Sequence, residues 1–291
     1  MQQPADTRRG IVIYLLLAFG LSSIFYTLII HAGTIGAQGG MYVTGLMWSP
    51  AVGALLTCRL LGRSISTLGW EWKPRYQVIS YLIPIGYAFA AYLAVWLSGF
   101  GGFPNHDFLD KIAASGKWTG APAGVVLAGY VVLRGTTGMV ISTATALGEE
   151  IGWRGFLVPQ LAKISSFTTT ALVSGVIWTA WHVPLLLFAD YNGGTPHWYS
   201  LTCFAVMVIG ISFVFAWMRL RSGSLWTGAV LHASHNMFIQ TILTPMTTDT
   251  GRTKWAIDEF GAALPIAAVI AAILVWRRRG AVEGSLKTGV S

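Results

Sequence analysis

Charge is what this 291-residue sequence has least of: Asp, Glu, Lys and Arg make up 10% of it, and hydrophobic residues 54%. An ordinary soluble domain carries about 25% charged residues. A water-facing surface around a globule of this size is therefore excluded. The few charges are also clustered, which leaves long apolar runs between them. No long polar linker divides the chain, so a single unit over 1–291 is expected. Cysteine is scarce too. Cys58 and Cys203 lie in separate apolar runs, form no CxxC and imply no disulfide framework; both read as core residues. The net charge of +8 comes with no zinc-finger spacing and no basic stripe interleaved with aromatics, so a nucleic-acid role is rejected. The basic residues sit in short segments beside apolar runs, where they set topology and meet anionic lipid head groups.

What is present is a series of apolar runs of the length a bilayer requires, about 20 residues each. They fall at roughly 11–31, 41–61, 77–98, 124–147, 167–189, 200–219, 224–244 and 260–277. The expected fold class is all-α, a polytopic membrane helix bundle of about eight transmembrane helices. The first run follows Arg8-Arg9 and exceeds the roughly 7–15 residues of a signal-peptide core, so it reads as an uncleaved signal-anchor. Gly36, Gly39 and Gly40 mark the first outer turn, and 219–223 a tight turn between spans six and seven. The terminal Thr288-Gly289-Val290-Ser291 carries no lipidation signal of its own. With the N-terminus inside, the inner segments hold Arg8, Arg9, Arg59, Arg63, Lys73, Arg75, Arg154, Lys163, Arg219, Arg221, Arg277, Arg278, Arg279 and Lys287. The outer segments hold Lys111, Lys117, Arg252 and Lys254, and Arg134 falls within span four. Fourteen against four supports an even number of spans and cytoplasmic termini. The longest outer connection, 99–123, carries Phe100, Phe103, Phe108 and Trp118, which suit an interfacial position. No internal repeat is visible, which weighs against an inverted-repeat transporter.

Four places break the apolar background. At the inner end of span four stand Glu149 and Glu150, followed by Arg154. Glu150 and Arg154 are i and i+4, the spacing of a helical ion pair. Glu149 lies about 100° around the helix and is free to face elsewhere. A carboxylate beside a second one, in a poorly hydrated site, suits a general base. The bland alternative is that both acids merely satisfy Arg154. In span five, His182 lies in Trp178-Thr179-Ala180-Trp181-His182-Val183-Pro184. A lone helical histidine is more often a packing residue. Here, however, Pro184 leaves the Ala180 carbonyl without its usual partner, a setting suited to water. In span seven, His232 and Asn236 share a face and could donate to a developing oxyanion, with His235 partly on the same side. The alternative is interhelical hydrogen-bond glue. Arg134 has no local acid partner. It is left open between snorkelling, a backbone carbonyl and a substrate carboxylate, as is the role of His235.

Taken in order, Glu149-Glu150-x-x-x-Arg154, Trp178-x-x-x-His182 and His232-x-x-x-Asn236 resemble the EExxxR, FxxxH and HxxxN motifs of the CPBP intramembrane proteases, the CAAX-protease and bacteriocin-processing group. The resemblance covers 124–244, the expected catalytic core. Trp178 stands where the family has phenylalanine, a swap expected to keep an aromatic wall without touching the chemistry. The resemblance implies that Glu149 and His182 polarise a water, that His232 and Asn236 stabilise the oxyanion, and that Glu150 and Arg154 hold the helix end. The family has been described both as metalloproteases and as glutamate-dependent. The reading leans to no obligatory cofactor; if a divalent metal such as zinc is present, Glu149, His182 and His232 would be its ligands.

The expected function is an intramembrane endopeptidase acting on membrane-anchored proteins or peptides, prenylated CAAX-type or bacteriocin-related. Membrane lipid would be its other partner, and a bacterial inner membrane its location. The alternatives are a proton- or ion-coupled transporter and a non-catalytic immunity protein. The whole expectation requires spans four, five and seven to converge on one wet cavity, placed near the cytosolic side.

Overall fold

The computed structural model describes residues 4–33, 35, 40–116 and 118–283. Gly36, Gly39, Lys117, Lys287 and the terminal 288–291 lie outside the described residues. The apolar runs form helices because a backbone out of reach of water must satisfy its N–H and C=O groups within its own segment. Among the described residues, six helical runs are long and apolar enough to cross a membrane. The first three are α1 (Pro4–Ala32), α2 (Gly40–Leu60) and α3 (Pro74–Leu97). A short α4 (His106–Ser115) lies in the connection after α3, capped by the Asn105 side chain, which accepts from the Phe108 N–H at 3.2 Å.

The fourth run, Ala123–Ala162, is 40 residues long. It comprises α5 (Ala123–Leu133), a π-helical stretch Arg134–Gly138, α6 (Met139–Glu150), a second π stretch Ile151–Leu157, and α7 (Val158–Ala162). Next come α8 (Phe167–Phe188) and α9 (His197–Ser222), which ends at Gly223 with φ 71°. The left-handed turn at that glycine sends the chain straight back into α10 (Trp226–Asn236). A third π stretch, Met237–Leu243, extends α10, and α11 (Ala263–Arg277) follows. The last two expected spans are thus helical, α11 being shorter than the six.

α1 packs on α2, α8 on α9, and α9 on α11, while α10 is wedged between α3 and α6. Close approach depends on small residues: a Cβ at Gly210 of α9 would sit 3.0 Å from the Ala268 backbone of α11. The surface is apolar. Leu16, Val140, Ile141 and Ile266 are among many large side chains facing outward, and lipid is the solvent that accommodates them. The protein is an integral membrane α-bundle. Among the described residues the strand pairing is a two-residue ladder, β1 (Gly101–Gly102) antiparallel to β2 (Thr248–Asp249), which ties the connection after α3 to the one after α10.

The main difference from expectation concerns span four. The sequence break at Glu149 predicts an inner end, but the helix runs on to Ala162 with the charged motif inside it. The reason is local neutralisation. Arg154 Nη1 donates to Glu150 Oε1 at 2.9 Å with both side chains buried, so the charges need not be carried out to water.

Candidate active site

Three helices supply the polar residues, and two of the three motifs sit where an α-helix turns into a π stretch. Glu149 and Glu150 end α6, and Asn236 ends α10. A π turn widens the helix by a residue and occurs frequently at functional sites.

The two adjacent carboxylates point apart, as their angular separation requires. Glu150 faces α10: its Oε1 accepts from Arg154 Nη1 and from His232 Nδ1, each at 2.9 Å. The guanidinium of Arg154 lies 4.1 Å from the Trp178 ring centre and 3.9 Å from that of Phe215, a desolvated cation between two π faces. Arg219 Nε donates to the Arg154 carbonyl at 2.7 Å, filling an acceptor within the π stretch. α10 comes this close because residue 228 is glycine: a Cβ there would stand 2.5 Å from Glu150 Oε2. Glu150 and Arg154 thus form a structural pair that also orients His232.

Glu149 faces α8. Its Oε2 accepts from Trp178 Nε1 at 2.8 Å and, more weakly, from Trp153 Nε1 at 3.4 Å. No Lys or Arg pairs with it among the described residues. The expectation that Trp178 leaves the chemistry untouched is corrected here. The indole N–H holds the Glu149 carboxylate, and a phenylalanine has no such donor.

His182 projects from α8 into the same space, packed against Trp181 and Phe204 at 4.8 Å between ring centres. Its Nδ1 lies 2.9 Å from the Trp178 carbonyl. A carbonyl only accepts, so Nδ1 carries the proton and Nε2 of the neutral ring keeps its lone pair. The same logic puts a proton on His232 Nδ1, which faces a carboxylate. Just before Pro184, Tyr26 of α1 donates its hydroxyl to the Trp181 carbonyl.

Glu149, Trp178, His182, His232, His235 and Asn236 all line one cavity of about 210 Å³. Trp178 is its hub, with ring centres 5.3 Å from His232 and 6.1 Å from His182. The required convergence is met. The two ends of the cavity differ. Its floor, at Phe215 and His232, lies in the half toward the basic helix ends. Its more exposed lining residues, Ile35, Val43, Tyr191 and Gln240, come from the opposite ends of the helices.

Sequence reasoning missed one residue, Glu259. It lies in the connection between Leu243 and Ala263, is buried, and lines the same cavity. His235 Nε2 donates to its Oε1 at 3.1 Å, Tyr191 donates to its Oε2, and Tyr87 bonds the other side of the His235 ring. His235 is therefore anchored to this carboxylate, which answers the question the sequence left open. Burial alone would push the Glu259 carboxyl up, but the hydrogen bonds from His235 and Tyr191 and the charge of His235 outweigh it and hold it below the usual range. Its neighbour Asp258 is pushed up to about 7, first by burial and then by the charge of Glu259. Below about pH 7 this dyad carries one negative charge, which His235 and Tyr191 favour on Glu259, and above it two.

Arg134 stays on the outer face of its helix, its guanidinium 5.4 Å from the Tyr130 ring, away from the cavity. Among the described residues no group of three or more His, Cys, Asp and Glu is arranged to hold a metal ion. Glu149 spends its Oε2 on indole donors, and each histidine of the set has Nδ1 engaged within the protein. Glu149 Oε1 and the Nε2 atoms of His182 and His232 lie outside these bonds, a donor set of the kind zinc takes, but the described residues do not gather it around one point.

Residues 121–238, which contain all three motifs, match the family model described as Rce1-like, type II CAAX prenyl endopeptidase. A CAAX prenyl protease 2 from Methanococcus maripaludis is 27% identical over 129 residues, 42% of this chain and 44% of that relative. The chain thus spans less than half the length of the curated relative it matches. Residues 121–238, and the three motifs within them, are thus similar to the Rce1-like CAAX-type proteases.

Proposed function

We propose that the protein is an intramembrane endopeptidase that hydrolyses peptide bonds of membrane-anchored polypeptides with a water activated by Glu149 and His182. The observation that carries this reading is the shared cavity. A carboxylate with no Lys or Arg partner, an imidazole with its Nε2 free and an amide with no side-chain hydrogen bond, all among the described residues, meet there from three helices. Glu149 is not hydrogen-bonded to His182, which leaves room for a water between them. That water gives a proton to one of the two and attacks the scissile carbonyl, and the same proton then serves the leaving amine.

Asn236 donates to the oxyanion through its amide. His232 donates from Nε2 only as imidazolium, because Nδ1–H is committed to Glu150; Glu150 offsets the charge the ring then carries. Trp178 holds the Glu149 carboxylate toward the cavity. Water activation is assigned to these protein groups, and no step is routed through a metal. The substrate classes are prenylated CAAX-type chains and bacteriocin-related peptides, reached from surrounding lipid. The location is a bacterial inner membrane with cytoplasmic termini.

Glu149→Gln and His182→Ala should each lower cleavage of a fluorogenic prenylated peptide by about 10²–10⁴-fold or more while leaving the helical circular-dichroism signal intact. Near wild-type proteolysis by either variant would overturn the assignment. Running the assay with and without chelator reads metal dependence in the same experiment.

A further inference from the structure

The cavity has one end that reaches the surface and one that does not. Its deepest lining residues, Phe215, His232 and Glu149, are buried, and the packed side chains of Arg154, Trp153 and Phe156 lie around Glu149 toward Leu68 and Arg219. None of its lining residues comes from the turns 61–73, 163–166 or 220–225, which join the basic helix ends. At the other end the lining becomes partly exposed, at Ile35 between α1 and α2, Tyr191 between α8 and α9, and Gln240 in the π stretch after α10. Gln240 lies eight residues beyond His232, about 12 Å further along the helix. Glu259, from the connection leading to α11, forms part of the same end.

Charge distinguishes the two ends independently of the cavity. The blind end carries Arg8, Arg9, Arg59, Arg63, Arg221 and Arg277 to Arg279, among others. On the open side the described connections carry Lys111, Arg252 and Lys254, outnumbered by Asp107, Asp110, Asp190, Asp249, Asp258 and Glu259. Lys and Arg close to span ends remain on the cytoplasmic side.

We infer that the cavity opens on the extracytoplasmic face of the membrane, and that its substrates are polypeptides anchored in or beside that face which present an extended segment to it. The inference rests on the endopeptidase reading for the word substrate, but its geometry does not. At about 210 Å³ the chamber admits a few side chains at once, not a folded domain. A chain anchored in the outer leaflet, or emerging from a span on that side, reaches it directly.

Accessibility labelling tests this without requiring activity. Gln240→Cys places a thiol at the open end, and Ser66→Cys places one in the exposed turn between α2 and α3. The native Cys58 and Cys203 are buried, so the wild-type chain supplies the background. With a membrane-impermeant maleimide on intact spheroplasts, Gln240→Cys should label at least tenfold above that background. Ser66→Cys should label only after permeabilisation. The reverse pattern overturns the inference, and so does a Gln240→Cys chain that stays unlabelled in detergent, since the end would then be closed to water. Cleavage follows as a second arm. A fluorogenic peptide on an N-terminal acyl anchor is added outside right-side-out vesicles and, separately, outside inverted ones. Cleavage confined to the right-side-out vesicles and lost in Glu149→Gln supports both readings. Loss of the Glu149 dependence alone would sink the endopeptidase reading and leave the labelling result standing.

Discussion

His232 and His235 stand three residues apart on α10, and each has a buried carboxylate as its partner, yet the two pairs are built differently. Glu150, beside His232, belongs to a helix and is neutralised by Arg154, itself held between two aromatic faces. Glu259, beside His235, belongs to a loop and has a phenol as its second partner, with no Lys or Arg pairing among the described residues. In the first pair Glu150 has a permanent cation in Arg154, so its neutralisation does not depend on the histidine. The second has no fixed cation among the described residues, and the titration of Glu259 with its neighbour Asp258 couples the roof of the cavity to pH. Fixed neutralisation sits under the proposed chemistry, and titratable neutralisation sits at the open end.

The largest effect that would break this contrast comes from removing the permanent cation. Arg154→Met leaves Glu150 buried without its guanidinium, and losing one partner of a buried pair costs about 3–5 kcal/mol. The double variant Glu150→Gln/Arg154→Met removes both charges and should recover part of that loss. Thermal unfolding in detergent reads both. If the double variant were no more stable than Arg154→Met, Glu150 would not be the source of the penalty.

Next comes the indole on Glu149. Trp178→Phe keeps a ring and restores the family's residue, but deletes the 2.8 Å donor. Hydrogen bonds to charged groups contribute about 1.5–3 kcal/mol, so kcat should fall by about 10–100-fold with KM little changed. A drop confined to KM would mean that Trp178 contacts substrate and does not position the base. Glu259→Gln is smaller and pH-dependent. The wild-type carboxyl titrates below its usual value, so the stability it contributes is present above about pH 4.3, the ordinary Glu value, and is lost as pH falls through the folded value. Glu259→Gln should lose stability at pH 7 and show a flatter acid limb. An unchanged acid limb would remove the coupling of roof and pH.

Much of the helical bundle and most of the site were legible in the sequence, for the physical reason that helices in lipid depend on local rules. Apolar length located the helices, and the i, i+4 spacings of Glu150 with Arg154 and of His232 with Asn236 put each pair on one face. Three things were not legible. The 40-residue run looked broken at Glu149 because composition registers charge and not its neutralisation. Trp178 looked like a neutral swap because a motif records a ring and not its N–H. Glu259 looked like an ordinary loop acid, since nothing in a connection of nineteen residues says which of Asp249, Asp258 or Glu259 folds back onto α10. The adjacent Asp258-Glu259 pair, in a chain so poor in charge, was the one available signal.

Asp258 gives the smallest expected effect and the sharpest test of how that roof titrates. Its φ of 62° is left-handed, a region Asn tolerates nearly as well as Asp, and its Oδ1 accepts from the Glu259 N–H at 2.8 Å, which an amide oxygen can also do. Asp258→Asn therefore changes little but the proton. In the wild type the folded chain holds that proton up to about pH 7, while the unfolded chain releases it near the ordinary Asp value of about 3.9. Between those limits the native state binds more protons, so the contribution of Asp258 to stability falls as pH rises and is flat above about 7. Discounted for its partial exposure, the effect is about 1–2 kcal/mol. Asp258→Asn should gain that amount on the wild type at pH 8 and much less at pH 5, read as the difference in Tm at the two values. Equal gains at both would put the proton on Glu259 instead, and His235 would then face a neutral acid, making the two histidine–carboxylate pairs more unlike still.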